Sequence, residues 1–544
     1  MDRQPSNERI ALVFFLILIL PLLWAAVLAA PFVSGGLISI LTGLMGIENP
    51  FTLSWCSDTP KTMALFLLIY ALGIGIYYAT KRNTRKGEEH GSAQWTSASA
   101  LRRKYADKDP YNNIILTQHV QMGLDSRKHK RNLNVMVVGG SGAGKTRNYV
   151  MPNILQKNTS FVIIDTKGEI LRSTGHLLEN DYEIRVLDLL HMEKSFGYNA
   201  FKYLHSEPDV LKLVANIIRN TTPRGSQASD PFWERAEQAL MSALILYLLE
   251  AAPPYEQCFP MLMELIMIAE AREEDETYVS ILDVLFERLA DSNPNSLAVK
   301  QYSIFKLSAA RTSKSILVSL GVRLEKLNLP QMFSLTSQDE LDFRSIGLKK
   351  VALFALIPDN DSSLNFLIGM MFTQLFQELY RLADSECDGR LPVHVHVLAD
   401  EFANIALPNE FDKILSTMRS REISISIILQ NMAQLKSLYE KNWESLAGNC
   451  DEFLYLGSNE LSTHEYVSKL IGKQTLDTNT YGRSKGHNAH YSTNWQITGR
   501  DLLTCKGVKS TSTLNIMRLG RLRHRRTNST IRKEQKTGTI YPRL

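Results

Sequence analysis

The stretch of this sequence best suited to chemistry is a glycine-rich turn that ends in Lys-Thr. Residues 139–146 are GGSGAGKT and match the pattern GxxxxGK[ST] at every fixed position. Glycines let the backbone curl so that successive N–H groups point at a phosphate, at the start of the following helix. The lysine then reaches the β- and γ-phosphates, and the threonine offers its hydroxyl to Mg²⁺. The sequence predicts a nucleotide site built by Gly139, Gly140, Ser141, Gly142, Ala143, Gly144, Lys145 and Thr146.

A pair of acids at the end of an apolar run supplies the second part of such a site. Residues 393–401 are VHVHVLADE, which is typical of a buried strand ending at Asp400 and Glu401. We expect Asp400 to hold the water shell of Mg²⁺ and Glu401 to orient or deprotonate the attacking water, as in nucleotide hydrolysis. His394 and His396 alternate with valines and share one face, but a metal site there would need more ligands than the nearby sequence offers.

Three further features are candidates for the same site. Residues 161–169, FVIIDTKGE, end a strand in a charged turn. This turn is either an ordinary strand-to-helix connection or part of the ligand site, because parallel strands end at one edge of a sheet. Gln430 ends the strand predicted at 423–429 and is suited to sensing the γ-phosphate. Arg419 and Arg421 precede that strand, and an arginine there is either a catalytic finger, for its own site or a neighbour's, or part of a solvated basic face.

These residues need several strands that end at one edge, and the hydrophobic pattern supplies them. Strands are predicted over 134–138, 161–164, 350–356, 393–398, 423–429 and 452–456, with helices such as 146–155 and 364–382 between them. Strand signals vanish from 209 to about 324, where a helix opens at Pro231 and apolar residues follow at helical spacing. The pattern therefore predicts an α/β nucleotide-binding domain interrupted by an all-α insertion.

Two apolar segments near the N-terminus predict a membrane anchor. Residues 10–32 and 62–80 lack charges, and each is long enough to cross a hydrocarbon core of about 30 Å. Basic residues precede the first segment and follow the second, so the positive-inside rule places both chain ends in the cytoplasm. A cleaved signal peptide is the alternative for the first segment, but its apolar core would be too long. Pro21 is expected to kink the first helix.

Charge and cysteine content narrow the possible functions. The net charge of +5 is concentrated in the tail, since residues 506–544 hold eleven Lys or Arg and one acid, leaving about −5 for residues 1–505. This distribution weakens the case for a nucleic-acid surface spread over the whole body. The five cysteines form no CxxC pair, which argues against a disulfide framework or a zinc site and suits a reducing cytosol.

Several motifs together resemble the TraG/TraD-type coupling proteins of type IV secretion, which are membrane-anchored ATPases of bacterial conjugation. They are GSAQW at 91–95, GGSGAGKT, DTKGE at 165–169, DPFWERAEQAL at 230–240, LADEFANI at 398–405, MRSREISISIILQN at 418–431 and WQITGRDLLT at 495–504. The combination of DTKGE, DPFW and LADEF is far more specific than a P-loop alone. The resemblance covers the chain from the anchor to about residue 504.

The resemblance implies a RecA-like domain, a multi-pass bacterial membrane protein with two helices, and a homo-hexameric ring. Such a ring docks relaxase-bound single-stranded DNA, or protein substrates, onto the secretion channel. Carried over by position, Lys145 and Thr146 bind ATP and Mg²⁺, Asp400 and Glu401 form the second motif, Gln430 is the sensor, and Arg419 is the finger acting on the neighbouring subunit. The expected divisions are 1–9 cytoplasmic, 10–80 anchor, 81–132 linker and start of the cytoplasmic part, 133–208 and 325–504 nucleotide-binding domain, 209–324 all-α insertion and 505–544 basic tail.

The tail departs from the family pattern, and two rival functions are open. Residues 505–530 are basic and lack apolar periodicity, so they predict either a nucleic-acid-binding arm or a divergent or shifted frame that leaves the sheet without its last strand. One rival function is a membrane receptor that uses nucleotide as an assembly switch, which the complete Asp400–Glu401 pair disfavours. The other is a DNA translocase of the FtsK type, which usually carries a longer linker and a winged-helix end.

Overall fold

The protein forms two compact units, Met1–Lys86 and Gly87–Leu544. The computed structural model describes residues 5–47, 49–51, 54–80, 91, 93–222, 231–269, 278–308, 310–359, 361, 363–405, 408, 410–483, 491–511, 514–518 and 529–533.

The first unit is helical. Its helices are Pro5–Ala29, which continues as the 3₁₀ turn Ala30–Gly35, then Gly36–Met45 and Thr59–Thr80. Within the described residues, Phe14–Gly35 and Thr59–Ile76 are long and apolar enough to cross a membrane, with mean hydropathies of 2.6 and 1.6. The Tyr70 hydroxyl donates to the Phe15 carbonyl at 2.8 Å and joins the two long helices. Helix Gly36–Met45 was not predicted, because a mostly apolar segment of ten residues is too short to span a membrane.

The second unit is built on strands whose order in space differs from their order in the chain. In chain order they are Gln94–Trp95 (β1), Asn113–Thr117 (β2), Val120–Gly123 (β3), Val135–Val138 (β4), Ser160–Asp165 (β5), Glu183–Asp188 (β6), Val351–Leu356 (β7), Val395–Ala399 (β8), Ile423–Leu429 (β9), Glu452–Tyr455 (β10), Lys473–Arg483 (β11), Tyr491–Asp501 (β12), Leu514–Arg518 (β13) and Ser529–Lys533 (β14).

One large sheet organises this unit. Among the described residues it has ten strands in the order β1-β14-β13-β10-β4-β9-β8-β5-β7-β6. The strands from β10 to β6 in this order are parallel, so their C-terminal ends meet at one edge. Strand β9 lies between β4 and β8, so the residue that follows β9 is placed between the glycine-rich loop after β4 and the acids after β8. The pairs β2–β3 and β11–β12 form separate hairpins.

Alternate residues of the central strands pack into two cores. Met136 and Val138 of β4 join the core that continues into the helices after β6, whereas Val135 and Val137 join the core that includes β2 and β3. Both faces of the parallel sheet are therefore covered, which explains why its strands are nearly continuous apolar runs.

Helices cover these faces and fill the segment between β6 and β7. No strand occurs in the described residues from 189 to 350. The boundaries 209–324 expected for an all-α insertion stay a prediction, although the helices there begin earlier and end later. The helices of the second unit are Ala98–Tyr105, Ser126–His129, Met151–Ile154, Glu169–Leu178, Glu207–Thr221, Pro231–Ala251, Phe259–Ile268, Ile281–Ser292, Leu297–Lys306, Ala310–Arg323, Pro330–Ser337, Phe343–Ile346, Asn365–Glu386, Phe411–Thr417, Met432–Leu438, Trp443–Gly448, Leu461–Ile471 and Cys505–Lys509.

The tail corrects one expectation. Strand β13 pairs antiparallel with β10, so the expectation that the sheet lacks a further strand after residue 504 is wrong. Helix Cys505–Lys509 precedes it and buries Val508. Strand β13 was not predicted because it has only five residues and lies among basic residues. So short a segment does not show a clear alternation of apolar and polar residues.

Candidate nucleotide site

The glycine-rich loop follows β4 directly and depends on its glycines. Gly142 and Gly144 have φ values of 73° and 83°, which side-chain-bearing residues rarely adopt. A Cβ on Gly144 would lie 2.3 Å from Nδ2 of Asn148, and one on Gly139 would lie 3.0 Å from Cβ of Leu456. The loop therefore keeps a tight curl that other residues would open.

Lys145 and Thr146 stand at the end of this loop. The Lys145 ammonium donates to the carbonyls of Gly139 and Gly140 at 2.8 and 3.1 Å, and burial lowers its pKa. The Thr146 hydroxyl donates to Oδ2 of Asp400 at 2.6 Å. The structure thus brings together two predicted parts of the site that are 254 residues apart in the chain.

Asp400 is the buried acid of the pair. It is 7% exposed, and its Oδ1 atom has no hydrogen-bond partner among the described residues. Burial raises the pKa of Asp400, against the opposing effects of the Thr146 hydrogen bond and the Lys145 charge. A carboxylate oxygen with an open lone pair beside a threonine hydroxyl fits the hard oxygen ligands that Mg²⁺ prefers. The residues present therefore fit a magnesium ion held by Thr146 and Asp400.

Glu401 follows in a strained backbone conformation. Its φ of 53° is left-handed, and the Asn404 amide donates to its Oε2 at 3.3 Å. Such strain costs about 1–3 kcal/mol and persists only where surrounding structure enforces it. The turn directs the chain so that both acids reach the same cleft.

The cleft at this sheet edge has a volume of about 260 Å³ and collects most of the predicted residues. Gln430 lines it from the end of β9, where its backbone N–H donates to Oε1 of Gln434 at 2.9 Å. Gly139, Gly140 and Ala143 contribute loop backbone rather than cleft wall. The wall, which we call the P-loop cleft, consists of Ser141, Gly142, Gly144, Lys145, Thr146, Arg147, Asp165, Thr166, Lys167, Glu169, Ile170, Asp400, Glu401 and Gln430.

The charged turn after β5 serves both roles that the sequence left open. The Asp165 carboxylate accepts backbone N–H bonds from Lys167, Glu169 and Leu171 at 3.0–3.2 Å, which organises the strand-to-helix connection. Asp165, Lys167 and Glu169 also line the P-loop cleft. Thr166 of the same turn lines it too. Arg147 and Ile170 also line it and were not predicted, although each directly follows a predicted segment in sequence.

Arg419 lies away from the P-loop cleft of its own chain. It lies before the N-terminal end of β9, whereas the cleft is at the C-terminal end of that strand. The seven residues of β9 rise by about 3.3 Å each, so the two ends of the strand are about 20 Å apart. Its guanidinium donates to the Ser126 carbonyl at 2.8 Å. This placement excludes a role for Arg419 on its own chain's site, so the remaining catalytic hypothesis is action on a neighbouring subunit.

The sequence is similar to the VirD4 proteins of two bacteria. It is 20% identical to the VirD4 protein of Agrobacterium fabrum over 482 residues, which cover 83% of this chain and 68% of that protein. It is 22% identical to the VirD4 protein of Rhizobium radiobacter over 355 residues, covering 63% of this chain. That second match spans only 48% of the length of the relative.

The fold is similar to that of the conjugative coupling protein TrwB. The structure of TrwB with a non-hydrolysable ATP analogue gives a TM-score of 0.58 at 15% identity, covering 85% of this chain and 98% of that one. TrwB with ADP and Mg²⁺ gives 0.56 at 14% identity, covering 84% and 97%. The family described as type IV secretory system conjugative DNA transfer matches residues 94–511, well over half of the sequence. The chain therefore belongs to this family of type IV secretion coupling proteins.

Proposed function

We propose that the protein is a membrane-anchored ATPase that couples relaxase-bound single-stranded DNA, protein substrates, or both, to a type IV secretion channel. The observation that carries this proposal is the contact between Thr146 and Asp400, which leaves Oδ1 of Asp400 buried without a hydrogen-bond partner. TrwB, whose fold is similar, has been solved with nucleotide and with Mg²⁺.

Each residue of the site has a distinct chemical task in this proposal. Loop N–H groups and the Lys145 ammonium bind the phosphates, so Lys145 exchanges its bonds to loop carbonyls for bonds to phosphate oxygens. Thr146 and Asp400 hold Mg²⁺, which neutralises charge on the phosphate oxygens when bound. Glu401 orients or deprotonates the attacking water, and Gln430 contacts the γ-phosphate from the end of β9.

The proposed setting is the bacterial inner membrane. The two apolar helices span it, and the basic residues flanking them place both termini in the cytoplasm. Channel components and the relaxase are the proposed partners. Because Arg419 stands at the opposite sheet edge from the cleft of its own chain, we further propose that subunits assemble as a homo-hexameric ring in which Arg419 reaches the next subunit's site.

ATP turnover by the full-length protein in detergent or lipid discs, with and without single-stranded DNA, tests the proposal. Lys145→Ala should reduce ATP turnover by about a hundredfold or more. The reason is that residues 139–146 then lack a positively charged side chain to bind the phosphates. Lys413→Ala, which changes an exposed lysine paired with Glu410, should leave turnover unchanged.

The DNA arm of the experiment separates cargo classes. Stimulation by single-stranded DNA that vanishes in Lys145→Ala supports a nucleic-acid motor, and turnover indifferent to DNA favours protein cargo. Nucleotide binding without turnover at any protein concentration would contradict the motor and favour a nucleotide-switched receptor.

A further inference from the structure

A continuous row of polar side chains crosses the sheet from one edge to the helix that follows the glycine-rich loop. Consecutive members lie within hydrogen-bond distance, between 2.6 and 3.0 Å. We call this row the His–Ser relay. Its members, starting at the helix after the loop, are Tyr149, Ser426, His396, Ser424, His394 and Glu422.

Strand register creates the relay. His396 of β8 is paired with Ser424 of β9, and Leu398 with Ser426. The His396 imidazole therefore lies between two hydroxyls: its Nδ1 is 2.6 Å from Ser424 Oγ, and its Nε2 is 2.9 Å from Ser426 Oγ. The His394 imidazole lies between the Ser424 hydroxyl, 2.7 Å from its Nε2, and the Glu422 carboxylate, 3.0 Å from its Nδ1. The Ser426 hydroxyl then meets the Tyr149 hydroxyl at 2.7 Å.

Four of the six members of the relay are buried. His396, Ser424, Ser426 and Tyr149 are each at most 2% exposed. Burial lowers the pKa of His396 to about 3, so its ring is neutral at physiological pH. Buried polar groups are costly unless every one is bonded, and a fully satisfied network rigidifies what it joins.

When both rings are neutral, one arrangement of protons satisfies every member of the relay. Burial opposes the charge of Glu422, but the hydrogen bond from His394 and the charge of Arg390 outweigh burial and lower the Glu422 pKa. The carboxylate therefore accepts, and His394 Nδ1 carries the proton that it accepts.

The remaining protons follow from that first one. With neutral rings, Ser424 donates to His394, His396 donates to Ser424, Ser426 donates to His396, and Tyr149 donates to Ser426. If every donor and acceptor were exchanged, Ser426 would donate to Tyr149, and the Tyr149 hydroxyl would have no acceptor in the relay. All the O–H and N–H bonds of the relay thus point toward Glu422.

Tyr149 connects the relay to the nucleotide loop. It lies in the π-helical turn Thr146–Val150, in which the Met151 N–H bonds to the Thr146 carbonyl. Its own carbonyl accepts from the Asn153 amide at 2.8 Å, and that amide side chain also bonds to both backbone groups of Ile115. The turn that begins with Thr146 is therefore fixed from the sheet on one side and from β2 on the other.

We propose that the His–Ser relay positions the helical turn of Thr146 so that its hydroxyl meets Asp400 and, with it, Mg²⁺. Its members are positioning residues, because none of them lines the P-loop cleft. This inference rests on the proposed nucleotide-binding function and deepens it. It also assigns a positioning role to His394 and His396. Their alternation with valine in the sequence had indicated only that both side chains lie on the same face of the strand.

The test measures how much Mg²⁺ the full-length protein needs to bind a non-hydrolysable ATP analogue. Tyr149→Phe and Ser426→Ala each remove one hydroxyl of the same link, so each should raise the half-saturating Mg²⁺ concentration by about threefold to tenfold. Nucleotide binding in excess chelator should not change. The double variant should be no worse than either single variant, and Ser426→Thr, which keeps the hydroxyl, should restore most of the loss.

Ser160→Ala is the matched control. Ser160 is a fully buried serine of β5 in the same sheet, bonded to the Lys349 carbonyl at 2.8 Å and outside the relay. It should lower the unfolding temperature without changing the Mg²⁺ requirement. If the relay variants lower the unfolding temperature as Ser160→Ala does and keep the wild-type Mg²⁺ requirement, the inference is overturned. If the wild-type protein binds no nucleotide, the proposed function itself fails, and the inference with it.

Discussion

Asp400 shows at the scale of one residue how the site is prepared for a cation. Its side chain is buried, accepts one hydrogen bond from Thr146 and leaves the other oxygen open. A carboxylate in such a place is costly without a cation and favourable with one. The buried Asp400 carboxylate therefore lowers the stability of the nucleotide-free protein, and in return it is positioned to bind a cation.

Asp400→Asn should make the nucleotide-free protein more stable. Burial raises the pKa of Asp400, so the folded state holds this proton more tightly than the unfolded chain. Stability therefore falls as the pH rises from the unfolded-state pKa to the folded-state pKa, and the full cost of ionisation is present above the folded-state pKa. The neutral amide avoids that cost, and we expect the unfolding temperature at pH 7.5 to rise by about 1–3 °C. The gain should shrink as the pH falls toward 4, while Mg²⁺-dependent nucleotide binding is lost. A lower unfolding temperature at pH 7.5 would contradict this account.

Residues that act through short local motifs were predictable from sequence. The loop at 139–146 and the acids at 400–401 are contiguous, and their chemistry depends on spacing alone. The partners of His394 and His396 were not predictable, because they depend on β9 lying beside β8, and strand order does not follow from the pattern of one chain. Placing Arg419 required only that β9 be parallel to its neighbours, since Arg419 and Gln430 flank opposite ends of that strand.

At the scale of elements, the pattern predicted β10 over 452–456 but did not predict the partners of this strand. It begins with Glu452, which is fully buried and bonds through Oε1 to Nη1 of Arg131 at 3.1 Å, just before β4. The sequence gives no signal for the pairing of Glu452 with Arg131, because the two residues are 321 positions apart in the chain. The pairing of β10 with β13 was missed for a similar reason, since a basic five-residue strand is recognisable only once its neighbour is known.

Glu452→Gln should change how stability depends on pH. Burial raises the pKa of Glu452 to about 8, despite the Arg131 charge, so the folded state holds an extra proton between about pH 4.5 and 8. Stability therefore falls as the pH rises through this window, and the amide variant should lack that fall. The difference in unfolding temperature, variant minus wild type, should be more positive at pH 8 than at pH 5.5. Glu410→Gln, at an exposed ion pair, serves as the control, and parallel curves for Glu452→Gln and wild type would refute the expectation.

At the scale of the whole molecule, the position of Arg419 makes one chain an incomplete catalyst in the proposed ring. Arg419→Ala and Glu401→Gln should each reduce ATP turnover by about a hundredfold or more. Co-expressed with separate tags and purified through both, the two variants should regain activity, because an Arg419→Ala subunit keeps its own acids and borrows its neighbour's arginine. Random mixing restores about a quarter of the sites.

The control for this complementation is Arg421→Ala, which removes an arginine paired with Asp384 at the same sheet edge and should retain turnover. Mixed assemblies as inactive as either single variant would show that Arg419 does not act between subunits.

The place of β4 in the sheet also sets an order of events during synthesis. Its two neighbours are β9 and β10, and β9 begins about 285 residues after β4 ends. At about 5–20 residues per second, the ribosome needs about 15–60 s to make that stretch. During this time the four apolar residues of β4 have no partner strand, while both anchor helices have already left the ribosome. In the proposed membrane setting, insertion of the two apolar helices therefore precedes completion of the nucleotide site.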